Sequence, residues 1–174
     1  MHGILQSHGG SIRVESQPGH GAMFCVRLPR LDEEESSELS AEAAPPQGKE
    51  RILFVDDENL LAQMAGEMLS QLGYAVTSTT SAIEALGLFK AAPEAFDLLI
   101  TDQAMPKMTG SELSEAILAL RPAMPIILIT GFSETFGEDD ARAMGIKAFL
   151  LKPVSETQLA RAIREVLDSS VGAA

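Results

Sequence analysis

From Arg51 onward the chain alternates between short apolar runs and longer stretches in which apolar residues recur at helical spacing. Ile52-Leu53-Phe54-Val55, Leu98-Leu99-Ile100, Ile126-Ile127-Leu128-Ile129 and Ala148-Phe149-Leu150-Leu151 have no polar interruption, the pattern of strands buried on both faces of a parallel sheet. Residues 74–79 read as another strand. Between these runs, Leu60, Leu61, Met64, Met68, Leu69 and Leu72 predict a helix that stops at Gly73. Ser81 with Glu84 forms a capping-box pattern before a helix carrying Ile83, Leu86 and Phe89, which Ala91-Ala92-Pro93 ends. A third helix runs from about Ser111 to Leu120, a weaker fourth from Glu138 to Met144 between Gly137 and Gly145, and a fifth follows Ser155 and Gln158 with Leu159, Ile163, Val166 and Leu167 on one side. Strands alternating with helices in this way predict an α/β fold, a doubly wound parallel sheet with helices on both faces.

The first fifty residues differ. Residues 1–8 fit a turn or two of helix closed by Gly9-Gly10, Ser11 to Ser16 alternates like a half-buried strand, Pro18-Gly19-His20-Gly21 is turn chemistry, and Ala22 to Leu28 is a returning strand. A lone hairpin is marginal in water, so this piece needs a sheet that residues 1–30 do not supply. Residues 31–50 set Asp32, Glu33, Glu34, Glu35, Glu38, Glu42 and Glu50 against Lys49 alone, among Ser, Ala, Pro45, Pro46 and Gly48. Mutual repulsion and the lack of large apolar groups predict an extended acidic linker.

The 174 residues are 45% hydrophobic, enough for one packed domain plus a fragment. A net charge of −12 argues against nucleic acid as a partner, which needs a basic face, and favours cations. Cys25 is the single cysteine, so no internal disulfide forms and no zinc spacing exists. No stretch is apolar enough to span a bilayer and the start lacks a signal pattern, so a cytoplasmic location without membrane contact is expected.

Candidate chemistry lies at the strand ends. The apolar runs finish in Asp56-Asp57, Asp102, Thr130 and Lys152. In a parallel sheet those ends share one edge, with neighbouring strands about 4.8 Å apart, and that edge is where open α/β sheets bind ligands. Carboxylates gathered there need a cation, and oxygen donors without His or Cys favour Mg2+. A lysine opposite the acids would face a second anion, and a threonine hydroxyl could donate to its oxygens.

Residue by residue, residues 51–169 resemble the receiver domain of response regulators. Asp56 and Asp57 match the acidic pair, Asp102 the phosphoacceptor, Thr130 the switch hydroxyl, Phe149 the switch aromatic, Lys152-Pro153 the terminal pair, and Met105, Pro106 and Gly110 the loop after the acceptor. The resemblance implies a flavodoxin-like fold with strand order 2-1-3-4-5, an X-Pro bond at Lys152-Pro153 that is often cis, and phosphoryl transfer from a phosphohistidine to Asp102. It also implies Mg2+ held by Asp56, Asp57, Asp102 and the Ala104 backbone carbonyl, with Lys152 on the other side. Thr130 and Phe149 would then remodel the face of the fourth helix, fifth strand and fifth helix, which also offers a homodimer contact. The implied partner is a histidine kinase or a histidine phosphotransfer protein; the rival reading is a docking module that is not phosphorylated. Ala104 and Phe132, two residues past the acceptor and past Thr130, cannot orient water by hydrogen bonding, so slow autodephosphorylation is expected.

His8-Gly9-Gly10-Ser11-Ile12 with Pro18-Gly19-His20-Gly21-Ala22-Met23-Phe24 resembles the last portion of the ATP-binding domain of sensor histidine kinases. The asparagine-containing box, the first glycine box and the phosphorylated-histidine helix have no counterpart, so the chain is not expected to act as a kinase by itself. The organisation implied is a kinase remnant at 1–30, a linker at 31–50, a receiver domain at 51–169 and a tail at 170–174, as at the C-terminal end of a hybrid sensor kinase with no output domain after it.

Overall fold

The computed structural model describes residues 10–29 apart from 18 and 20, residues 45–131, and residues 137–171. The expected helical stub at 1–8, most of the acidic linker, the Pro18 and His20 turn positions and Phe132 lie outside the described residues. The chain divides into two units, 1–43 and 44–174.

In the first unit β1 (Ser11–Gln17) and β2 (Gly21–Arg27) form an antiparallel hairpin. Gly19 and Gly21 both adopt positive φ, +81° and +83°, which explains glycine at the reversal. The register sets Ile12 opposite Val26 and Val14 opposite Phe24, so one face of the ribbon is apolar. Val14, Phe24 and Val26 on that face are each at least half exposed.

In the second unit β3 (Arg51–Val55), α1 (Asn59–Gln71), β4 (Ala75–Thr79), α2 (Ala82–Ala91), a short 3-10 turn (Pro93–Ala95), β5 (Leu98–Asp102), α3 (Gly110–Leu120), β6 (Ile126–Thr130), α4 (Glu138–Ala143), β7 (Ala148–Leu151) and α5 (Glu156–Val171) follow in order. The strands pair in parallel in the order β4-β3-β5-β6-β7, which counted from Arg51 is 2-1-3-4-5, the flavodoxin-like order expected from the sequence. Alternate side chains of each central strand feed opposite cores. Ile52, Phe54, Leu98, Ile100, Ile127 and Ile129 pack with Leu69, Leu72, Leu159 and Ile163 of the α1 and α5 side. Leu53, Val55, Leu99, Ile126 and Leu128 pack with Ala85, Phe89, Leu113 and Ile117 of the α2 and α3 side. The two-sided burial is the reason these runs carry no polar residue.

The helix patterns resolve less cleanly. In α1 the core takes Ala62, Leu69 and, just beyond it, Leu72, whereas Leu60 and Met64 are more than half exposed, so the apolar stripe is wider than the buried one. Ser81 accepts from the Glu84 N–H, but the Glu84 carboxylate turns to the Thr79 hydroxyl instead of closing the box. The complete capping boxes are at Thr109 with Glu112 in α3, and at Ser155 with Gln158 ahead of α5.

The stretch entering the sheet is tied down. The Gly48 N–H donates to the Leu72 carbonyl at 3.0 Å and the Ala75 N–H to the Glu50 carbonyl at 3.0 Å. Gly73, at φ +95°, stands so close that a Cβ there would lie 2.5 Å from the Gly48 oxygen. On α5, Arg164 lies 5.6 Å from the Tyr74 ring centre and 2.8 Å from Glu50 Oε1. Among the described residues no helix is long and apolar enough to cross a membrane.

Candidate phosphoacceptor site at the carboxyl edge of the sheet

Register decides which strand-end groups meet. Val55 pairs with Thr101, so Asp56 and Asp102, one residue on, leave adjacent strands side by side. Both are buried, at 4% and 5% exposure. Lys152, one residue past β7, reaches across the sheet edge: its Nζ lies 2.7 Å from Asp102 Oδ1 and 3.0 Å from Asp56 Oδ2. Sequence reasoning set this ammonium opposite the acids; it sits between two of them instead. Two buried carboxylates repel unless a cation joins them, and Lys152 supplies one. The Lys152-Pro153 bond is cis.

The remaining carboxylate oxygens take backbone donors. Asp56 Oδ1 accepts the Glu58 N–H at 2.9 Å and Asp102 Oδ2 accepts the Ala104 N–H at 2.6 Å. Burial works against the charge on Lys152, and its hydrogen bonds to Asp102 and Asp56 together with their negative charge outweigh that, holding its pKa above the ordinary lysine value. One ammonium against Asp56 and Asp102 still leaves an excess of negative charge in a largely buried place, with Asp57 exposed beside it. That excess, carried on oxygen donors alone, fits a hard divalent cation. Among the described residues no three His, Cys, Asp or Glu side chains are gathered as a ready-made cluster, because Asp57 faces solvent while Asp56 and Asp102 close on Lys152. Asp57 is also not the cap of α1, whose N-cap is Glu58.

Thr130, at the end of β6 and buried, donates its hydroxyl to the Gly131 carbonyl at 2.9 Å rather than to an acid. Phe149 is half-buried in β7. The two share the lining of an open groove with Leu151, Gln158, Arg161 and Glu165, between the tip of β6 and α5.

The loop after Asp102 contains residues that pattern reading did not single out. Gln103 extends the ladder through its N–H to the Ile129 carbonyl, and its carboxamide accepts from the Ser111 N–H at 2.9 Å and donates to the Ser111 hydroxyl at 3.1 Å. Neither residue carries a periodicity or charge signal. Gly110 has a visible reason to be glycine, since a Cβ there would lie 2.2 Å from the Asp102 carbonyl oxygen.

Residues 52–164 match the response regulator receiver domain family. A sensor kinase, CckA of Brucella abortus, is 29% identical over 97% of this chain, which spans 19% of that protein. The transcriptional regulatory protein GlrR of Escherichia coli is 34% identical over 70% of this chain and 27% of its own length. A receiver domain protein, described as CheY-like, from Methanospirillum hungatei superposes with TM-score 0.67 at 32% identity, covering 73% of this chain and all of that one. The chain thus spans between about an eighth and a quarter of the first curated relatives it matches.

Proposed function

The chain belongs to the response regulator receiver domain family of two-component signalling, and from that premise we propose that it accepts a phosphoryl group on Asp102. The observation that carries the reading is the buried Asp102 carboxylate at the tip of a central strand with the Lys152 ammonium 2.7 Å from it. The donor is a phosphohistidine on a histidine kinase or phosphotransfer protein; its P–N bond breaks as a P–O bond to an Asp102 oxygen forms. Charge builds on the equatorial oxygens of the passing phosphoryl group, so the protein contributes mainly position and compensating charge. Lys152 is placed to meet that charge, and Thr130, one strand over, to hydrogen-bond the product once its hydroxyl leaves the Gly131 carbonyl.

Receiver domains generally bind Mg2+. Here Asp57, the Asp102 carboxylate and the Ala104 carbonyl would hold it, with Asp56 acting largely through water, and it would supply positive charge beside the acceptor. Rotation of Phe149 into space vacated by Thr130 would alter the face made by α4, β7 and α5, the surface for a downstream partner or a second copy. We also assign residues 1–30 to the end of a histidine kinase ATP-binding domain joined by an acidic linker to the receiver. The match to CckA over 97% of this chain supports it, as does a hairpin whose exposed apolar face lacks a covering layer among the described residues.

Intact-mass measurement after incubation with acetyl phosphate and Mg2+ tests the reading. One phosphoryl adduct, absent in Asp102→Asn, is expected; an unmodified wild-type protein would leave the docking-module alternative in its place.

A further inference from the structure

The loop from Asp102 to the start of α3 is closed largely by one residue. Gln103 is the first residue past β5, and its carbonyl accepts from the Met105 N–H at 3.2 Å and from the Gly110 N–H at 3.1 Å. Its carboxamide meets Ser111 in both directions, taking the backbone N–H and giving to the hydroxyl. The same residue therefore pins the two ends of the loop with its main chain and again with its side chain. Thr109 joins the arrangement, its Oγ1 lying 3.1 Å from the Ser111 hydroxyl while it caps α3. Gly110 lets the helix N-terminus press against the Asp102 carbonyl, and buried Met105 anchors the middle of the loop.

Ala104 lies inside this closed loop, directly after Gln103, and its N–H holds Asp102 Oδ2 at 2.6 Å. With Oδ2 fixed from the loop and Oδ1 fixed by Lys152, the carboxylate plane has little freedom. We propose that Gln103 is a positioning residue: its clip to Ser111 sets the register of Ala104, and through it the orientation of the Asp102 carboxylate and the place of the Ala104 carbonyl. This rests on the reading of Asp102 as phosphoacceptor, and it assigns Gln103 no contact with the phosphoryl group. Lys107, at φ +69° the one non-glycine residue in the left-handed region among those described, shows how tightly this loop turns, so a residue that holds both ends shut has a strained path to hold.

The test uses the whole chain and reads amide hydrogen exchange without added cation beside phosphorylation by acetyl phosphate across a Mg2+ series. In Gln103→Leu, which keeps the bulk and loses both side-chain bonds, exchange at Ala104 should accelerate about tenfold, as expected for two lost hydrogen bonds. Strand amides of β3 and β6 should stay at wild-type protection, and the Mg2+ concentration for half-maximal phosphorylation should rise several-fold. Ser111→Ala, which loses one of the two bonds, should move both readouts less and in the same direction. Gln103→Glu, which can still accept from the Ser111 N–H, should restore most of the protection at Ala104. Unchanged Ala104 exchange in both Gln103→Leu and Ser111→Ala overturns the proposal, as does an acceleration shared equally by β3 and β6, which would mark a general loss of stability. If the wild-type chain accepts no phosphoryl group, the acceptor reading fails, and exchange at Ala104 still decides whether the clip exists.

Discussion

Lys152 and Asp102 are fifty residues apart in the chain, at the ends of strands that are not neighbours, yet the lysine Nζ stands 2.7 Å from the Asp102 carboxylate. Strand β6 lies between β5 and β7, so the lysine spans it to reach the acid, and Asp56 at 3.0 Å fixes the far end of that reach. A polar link across the open end of the sheet is thereby made by one side chain, and removing it tests how much the edge depends on charge compensation.

Lys152→Met keeps the apolar stem and leaves Asp56 and Asp102 side by side without their ammonium. Breaking a buried pair destabilises by about 3–5 kcal/mol, and partial exposure of the lysine reduces this to about 1–3 kcal/mol. Urea unfolding without divalent cations should show that loss, and added Mg2+ should recover part of it by binding the folded state. No recovery would count against a cation site on these carboxylates.

A second charge pair predicts a pH dependence. The Arg51 guanidinium grips Asp97 as a fork, Nε to Oδ2 at 3.0 Å and Nη2 to Oδ1 at 2.7 Å, with the Arg51 N–H on Oδ2 as well. The hydrogen bond to Arg51 holds the Asp97 pKa below the ordinary carboxylate value against the opposing effect of burial. A folded pKa below the unfolded one means stability that is fully present above the unfolded value, about 3.9, and lost as pH falls through the lower folded value. Thermal melts from pH 6 downward should therefore fall less steeply in Asp97→Asn than in wild type below about pH 4; parallel curves would show the pair carries no linked stability.

The central strands were legible because burial on both faces leaves short unbroken apolar runs, as in Ile126-Ile127-Leu128-Ile129, whereas their order was expected from the family resemblance alone. Helices were legible as elements but not in their buried faces. Leu60 and Met64 look like core residues in sequence and are exposed, because the face of α1 that meets the sheet carries Ala62, Leu69 and Leu72, and positions two residues either side of Ala62 fall on the opposite face. At the site, Asp56, Asp102 and Lys152 could be named from their positions at strand ends, but the lysine's place between the acids depends on register across four strands. Gln103 was invisible because a polar residue after a strand has no pattern to violate; only its two contacts with Ser111 distinguish it.

The packing ahead of β3 predicts where the stable unit starts. A Cβ on Gly48 would lie 2.2 Å from Tyr74 Cε1, and that ring is buried under Arg164. Gly48→Ala should lower stability by about 1–3 kcal/mol, the usual range for overpacking. Deleting residues 1–50 should destabilise the receiver relative to deleting residues 1–44, because the shorter piece loses the Gly48 and Glu50 backbone bonds. Chemical denaturation of the two truncated chains is the check, and equal midpoints would show that 45–50 is only a tether.

The proposed acceptor role predicts a phosphoryl lifetime set by what surrounds Asp102. Ala104 is exposed, two residues past Asp102, and its side chain cannot hydrogen-bond. Its N–H is committed to Asp102 Oδ2, and the Lys152 ammonium covers Oδ1. A hydrolytic water approaching in line therefore finds no side chain at position 104 to orient it, which is the contribution a general base or hydrogen-bond acceptor would make. The phosphoryl group should persist for minutes or longer after the donor is removed, read by intact mass over time. Ala104→Asn, which places a carboxamide at that mouth without touching the Gln103 clip, should shorten the lifetime several-fold. A wild-type half-life of seconds, or no change in Ala104→Asn, would mean that hydrolysis is controlled elsewhere in the site.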